Sequence, residues 1–308
     1  MRTRLALGSR SLSLSQTVAL ALCIGFGLAF VIANLRSWQM EDADAYWNAA
    51  LRLRDGAALY PPLDDVSAPD VYRYAPWFAW LWVPLTHLPK GAVMAWWGAI
   101  LVVASFVALL PLARVRSLAT ACLAALLGGL LIRTASTGNV HALLIAVLVM
   151  GARSRGGPVW IGVAASLKLV PIAYALVYVG RREWRRAAAA LVVTAALSAP
   201  ALLYDLRAYP GDPGASFSLL TVGGPLPWVT VVLVLAGVAV MAGRGPYGWL
   251  AAATAVIAAI PRLELYNLTY LLVGVWPRGG QARGGGIELP QPMGVAADGA
   301  DPDTAPRG

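Results

Sequence analysis

Two carboxylates follow directly on the first apolar segment of the chain, Asp42 and Asp44 in the string Glu41-Asp42-Ala43-Asp44-Ala45-Tyr46-Trp47. An acid hard against the end of a membrane span is costly to keep unless a reaction uses it or water reaches it. Three cations occupy comparable positions further along. Arg133 ends an apolar run and leads into Thr134-Ala135-Ser136-Thr137-Gly138-Asn139-Val140-His141. Lys168 interrupts the run 157–180, and Arg262 precedes Glu264, Tyr266 and Asn267. Carboxylates and cations gathered at one membrane face suit a phosphate-linked lipid whose head group lies at that depth. The cations would hold the phosphate, and a carboxylate would accept the proton of an attacking hydroxyl.

Each residue also has a plainer role. Asp44 could cap a helix beginning near Tyr46, which leaves Asp42 as the catalytic candidate and Asp44 as the alternative. Arg133 could be a flank residue snorkelling to the interface, and His141 an interfacial packing residue. Lys168 is harder to explain structurally, being surrounded by Leu167, Leu169 and Val170. The tryptophans between 77 and 97 read as interface anchors. Asn267-Leu268-Thr269 matches a glycosylation sequon at a span start, where the match is coincidental. No dedicated metal site is expected, because the two histidines are far apart and Asp42-Ala43-Asp44 has no helper acids elsewhere, although its Asp-x-Asp form leaves weak divalent binding open. No organic cofactor is expected either, and without a Gly-rich phosphate loop a nucleotide donor is disfavoured.

The elements that must position these residues are membrane spans. Of 308 residues, 59% are hydrophobic and 13% charged, with mean hydropathy +0.66; a soluble domain carries about 25% charged residues. The net charge of +9 is spread in short clusters between apolar runs, a pattern that sets orientation rather than one that binds nucleic acid. Apolar runs fall at roughly 16–35, 91–113, 117–132, 139–152, 157–180, 187–203, 227–243, 247–260 and 266–276. Breaking 157–180 near Lys168 and Pro171 gives about ten spans with both termini inside. That arrangement puts 15 of the 24 basic residues inside, among them Arg2, Arg4, Arg10, Arg114, Arg116, Arg278, Arg283 and Arg307, and ten of the fifteen acids outside. A single span over 157–180 would strand an arginine cluster on the outside, against the positive-inside rule.

The expected organisation is a cytoplasmic N-terminus over 1–15, a transmembrane domain over 16–276 and a disordered cytoplasmic tail over 277–308. The first run is too long for a signal-peptide core and is read as a retained span. Loop 36–90 forms an outer cap, with 76–88 lying along the interface. Cys23 and Cys122 lie inside apolar runs and imply no disulfide. Alanine- and arginine-rich usage points to a bacterial plasma membrane. Two other classes of function compete: a transporter or lipid flippase, though no internal repeat is evident, and a non-catalytic envelope assembly protein.

The ordered motifs resemble glycosyltransferase family 87. Asp42-x-x-x-Tyr46-Trp47-x-Ala49-Ala50, then Gly56-Ala57-Ala58-Leu59-Tyr60-Pro61, is similar to its loop opening. Tyr72-Arg73-Tyr74-Ala75-Pro76-Trp77 is similar to its aromatic-Tyr-x-Pro stretch, and Leu167-Lys168-Leu169-Val170-Pro171 to its Leu-Lys-x-x-Pro. Gly138-Asn139-Val140-His141 stands where the family often has Gly-Gln-x-Asn, and Asn267 where an acid is expected. The resemblance covers roughly 36–276. It implies an all-α, GT-C-like bundle that moves a hexosyl or pentosyl unit, mannose before arabinofuranose, from a polyprenyl-phosphate sugar to a cell-envelope glycolipid or glycan with inversion. Asp42 would be the general base; Arg133, Lys168 and Arg262 would bind the donor phosphate. Tyr46, Tyr74, Asn139, His141, Glu264, Tyr266 and Asn267 would contact sugar or acceptor at the outer membrane face.

Overall fold

The computed structural model describes residues 13–61, 71–113, 118–206 and 218–275. The expected tail 277–308, most of the N-terminal segment, and Arg2, Arg4, Arg10, Arg114, Arg116, Arg207, Arg278, Arg283 and Arg307 lie outside the described residues. Regular structure among the described residues is helical, without a strand. It runs α1 (Leu14–Arg36), α2 (Glu41–Arg54), α3 (Pro76–Trp82), α4 (Lys90–Ala113), α5 (Leu118–Ser136), α6 (His141–Gly151) and α7 (Gly157–Leu167). Then follow α8 (Ala175–Gly180), α9 (Trp184–Ser198), α10 (Leu219–Gly223), α11 (Pro225–Ala242), α12 (Gly248–Ala258) and α13 (Leu271–Gly274). Single 3-10 turns at Val170–Tyr174 and Leu265–Tyr270 lead into α8 and α13.

Five helical segments are long and apolar enough to cross a bilayer: Leu14–Arg36, Lys90–Leu112, Leu118–Ser136, Trp184–Leu203 and Pro225–Ala242. Apolar side chains cover several of them all round, with Phe26 on α1, Phe106 on α4 and Met241 on α11 all exposed. In water such surfaces would be a liability; in lipid they cost nothing. The chain is therefore an all-helical, multi-pass membrane protein. The other apolar helical segments among the described residues, such as His141–Gly151, Gly157–Leu167 and Gly248–Ala258, have only ten or eleven residues each. Eleven residues of α-helix reach about 16 Å, against a hydrocarbon core of about 30 Å. Of the ten spans expected from the runs, five have the length to span alone, and the rest are closer to half-length pieces.

The run 157–180 is broken where the sequence places the break. Pro171 cannot donate to the carbonyl four residues back, that of Leu167, and α7 ends at Leu167. Lys168 turns extended, with φ −137 and ψ 112. The chain then doubles back, for Gly157 at the start of α7 lies against the Tyr178 hydroxyl near the end of α8. Lys168 is thus the tip of a helical hairpin, and both legs open at the opposite end of the bundle. Arginines knit that opposite end together. Arg153 donates to Val273 O at 2.7 Å and Arg181 to Gly243 O at 2.8 Å, and both guanidinium groups lie over the Trp249 ring.

Long helices meet through small residues. On α1, a Cβ at Gly27 would stand 2.5 Å from Ala125 O on α5, so only glycine lets these backbones touch there. Helices α4, α5 and α6 pack side by side, as do α7 with α9 and α11 with α12. Helix α2 lies over the tip end of this bundle and packs against α3. Pro76 opens α3 at its first position, where the missing N–H is not needed.

Candidate active site

The site begins with a strained turn. Met40 adopts φ 56 and ψ 27, a left-handed conformation that costs a side chain of this kind about 1–2 kcal/mol. The turn is held in place from α5: Met40 N–H donates to Ser136 O at 3.0 Å and Asp42 N–H to Thr137 O at 2.8 Å. Gly138, at φ +78, lies against Ala43, where a Cβ would come within 2.6 Å of the alanine methyl. Helix α2 therefore starts at Glu41, not near Tyr46, and Asp42 and Asp44 both fall in its first turn, where acids are favoured by the helix dipole. The expectation that Asp44 caps a helix starting near Tyr46 is corrected accordingly, since the cap position is Met40 and carries no side-chain bond.

The two acids face different partners. Asp44 pairs with Lys90 at the start of α4, Oδ1 to Nζ at 2.9 Å. Asp42 points to the loop after α5 and to the hairpin tip. Its Oδ2 accepts from Asn139 Nδ2 at 3.1 Å, and Asn139 Oδ1 accepts from Lys168 Nζ at 3.3 Å. Burial pushes the Asp42 carboxyl above the usual carboxylate range, against the pull of Lys168, Asn139, Thr137 and Arg73. Burial likewise brings the Lys168 ammonium down to about 8, opposed by the charges of Asp42 and Glu264.

Lys168 also lies 5.2 Å from the Tyr266 ring centre, a cation–π arrangement. Tyr266 in turn feels the charges of Asp42, Glu264, Arg262 and Arg133. Arg262 and Glu264 form a half-exposed pair at 3.6 Å. Arg133 is exposed and reaches Asn34 Oδ1 with Nη1 at 3.4 Å. The carboxylates and cations singled out in the sequence thus share one end of the bundle, brought there by α2, the end of α5, the hairpin tip and the turn before α13.

Several residues expected to touch sugar or acceptor stand behind that surface. Tyr46 is fully buried; its hydroxyl accepts from Val140 N–H at 3.2 Å, and its ring packs edge-on against Tyr74, Phe78 and Trp82. His141 is also fully buried. The Thr269 hydroxyl spends its proton on Tyr266 O at 2.6 Å, so His141 Nε2 must donate to Thr269 Oγ1, at 2.8 Å. Its ring sits edge-on between Tyr266 and Tyr270, with centres 4.9 Å away in each case. Asn267 and Tyr74 are buried too, so all four act first as the wall of the site. Arg73 was not singled out from sequence. Its charge bears on both Asp42 and Tyr74, and the signal was there: a lone arginine inside Tyr72-Arg73-Tyr74.

Half-length helices meeting at a charged cluster on the end of an apolar bundle define a multi-pass membrane protein with a polar cluster at one bundle end. The family model for glycosyltransferase family 87 matches residues 72–272, about two-thirds of the chain, and the chain belongs to that family. Membership makes it a membrane glycosyltransferase, so the transporter and assembly-protein alternatives give way to an enzyme with a donor and an acceptor. No curated protein and no solved structure matches the chain. The family match starts after Asp42, so that residue is tied to the family region through its bonds to Thr137 and Asn139.

Proposed function

We propose that the protein transfers a sugar, mannose first among hexosyl and pentosyl candidates, from a polyprenyl-phosphate donor to a glycolipid or glycan of the cell envelope. The observation that carries this reading is the Asp42–Asn139–Lys168 chain at the hairpin tip, where a carboxylate and an ammonium stand on the two ends of one amide. Asp42 acts as base. It takes the proton of the acceptor hydroxyl as that oxygen attacks the anomeric carbon and the bond to the phosphate oxygen breaks, with inversion. Lys168 holds the phosphate and offsets the charge that grows on it as it leaves. Arg133 and Arg262, on the same face, add to that field. Glu264 and Tyr266 line the sugar side.

The proposed bundle is GT-C-like, with the site on the outer face of a bacterial plasma membrane beneath a cap formed by α2 and α3, and with both termini cytoplasmic. Irregular backbone at the hairpin tip fits this, because such backbone is tolerated at membrane depth where it lines a cavity. Membranes containing the protein are expected to transfer labelled mannose from polyprenyl-phosphate mannose to a lipid or glycan acceptor. Transfer from a nucleotide sugar alone, with none from polyprenyl-phosphate mannose or arabinofuranose, overturns the reading.

A further inference from the structure

We propose that Asn139 is a positioning residue that orients the Asp42 carboxylate and separates it from the Lys168 ammonium, rather than a contact to sugar or acceptor. This rests on the roles given to Asp42 and Lys168 above. Three hydrogen bonds carry it. Asn139 Oδ1 accepts from His141 N–H at 2.9 Å and from Lys168 Nζ at 3.3 Å, while Nδ2 donates to Asp42 Oδ2 at 3.1 Å. The partners fix which end of the amide is which. A backbone N–H and an ammonium only donate, so the atom they share is the oxygen, and the nitrogen is left facing an acceptor. The His141 bond closes an Asx turn at the entry to α6 and anchors the amide to the start of that helix. Asn139 is 6% exposed, and both polar ends are spent within the protein, so little of it is left for a substrate.

Two consequences follow for the reaction. A proton on Nδ2 engages Oδ2 of Asp42 and leaves Oδ1 as the oxygen that accepts the hydroxyl proton. The amide also stands where a direct ion pair would otherwise form, and none joins Asp42 to Lys168 among the described residues. A direct pair would weaken the base and occupy the cation; an amide between them keeps both available. The charges that bear on Asp42 besides Lys168 come from Arg73, with Thr137 bonded to it. Tyr46, Tyr74 and Tyr266 face its charge, and Glu264 acts on Lys168.

The test is the pH–rate profile of polyprenyl-phosphate mannose transfer by the full chain carrying Asn139→Ser or Asn139→Gln. Serine can still form the turn to His141 N–H but cannot reach Asp42; glutamine keeps the amide and guards against loss of fold. For Asn139→Ser we expect kcat to fall about 100-fold with little change in donor KM. The acid limb should move to lower pH and the alkaline limb to higher pH, because without the amide the carboxylate and the ammonium close into a direct ion pair that favours both charged forms. Asn139→Gln should recover part of kcat and return both limbs toward wild type. A raised KM for donor or acceptor with both limbs unmoved in Asn139→Ser would make Asn139 a substrate contact and overturn the inference. No transfer by wild type overturns the functional reading and this inference with it.

Discussion

At the residue scale the site is a matter of two displaced proton affinities. Burial raises Asp42 above the usual carboxylate range and lowers Lys168 to about 8. A base works only when deprotonated, so the rate should rise with pH as Asp42 loses its proton. A phosphate-holding ammonium works only when charged, so the rate should fall again as pH passes about 8. The kcat/KM profile is therefore expected to be bell-shaped, with its alkaline limb near that value. Lys168→Arg should move that limb upward, because a guanidinium keeps its proton throughout the range; an unmoved limb would assign it to another group. Asp42, Lys168, Arg133, Arg262 and Glu264 could be read from the sequence because a charge beside an apolar run has few reasons to be there. Arg73 carries a sequence signal of the same kind, a lone arginine among tyrosines, whereas the bridging role of Asn139 carries none. The bond between Asn139 and Asp42 joins residues 97 positions apart, and no local pattern encodes that distance.

At the element scale, the start of α2 is set by a close approach. Gly138→Ala would put a methyl 2.6 Å from the Ala43 methyl and force an L side chain to φ +78. We expect a loss of about 1–2 kcal/mol from the left-handed conformation alone, read as a lower unfolding midpoint in detergent. Transfer should fall further than stability, because Asp42 moves with the helix. Wild-type activity in Gly138→Ala would mean that α2 can shift without consequence. The break at Lys168 was legible because Pro171 removes the bond to Leu167 and a lysine interrupts an apolar run. The half-length of α6 and α12 was not. Hydropathy counts apolar residues, and it counts those in turns and loops along with those in helices. The burial of Tyr46 escaped for a related reason: an aromatic ring at a helix start reads alike whether it faces a substrate or a neighbouring ring.

At the scale of the whole molecule, the described residues sort their charges to opposite ends, with Asp42, Glu264 and the cations Arg133, Lys168 and Arg262 at the hairpin tip and an arginine cluster where the hairpin opens. The proposed orientation makes the tip end external. In a background with Cys23 and Cys122 replaced by serine, a cysteine at exposed Leu169 should react with an impermeant reagent from outside intact cells. Cysteines at exposed Arg155 and Arg182 should react only after the membrane is opened. Labelling of Arg155 and Arg182 positions from opposite sides would break the hairpin reading. The all-helical, multi-pass class was legible in composition alone, since 13% charged residues cannot cover a soluble molecule of this size. The account as a whole turns on one comparison, transfer from polyprenyl-phosphate mannose by wild type, Asp42→Asn and Asp44→Asn. It predicts transfer by wild type, a loss of 100-fold or more, on the order expected for removing a general base, in Asp42→Asn, and retained transfer in Asp44→Asn. Equal transfer by wild type and Asp42→Asn would contradict it.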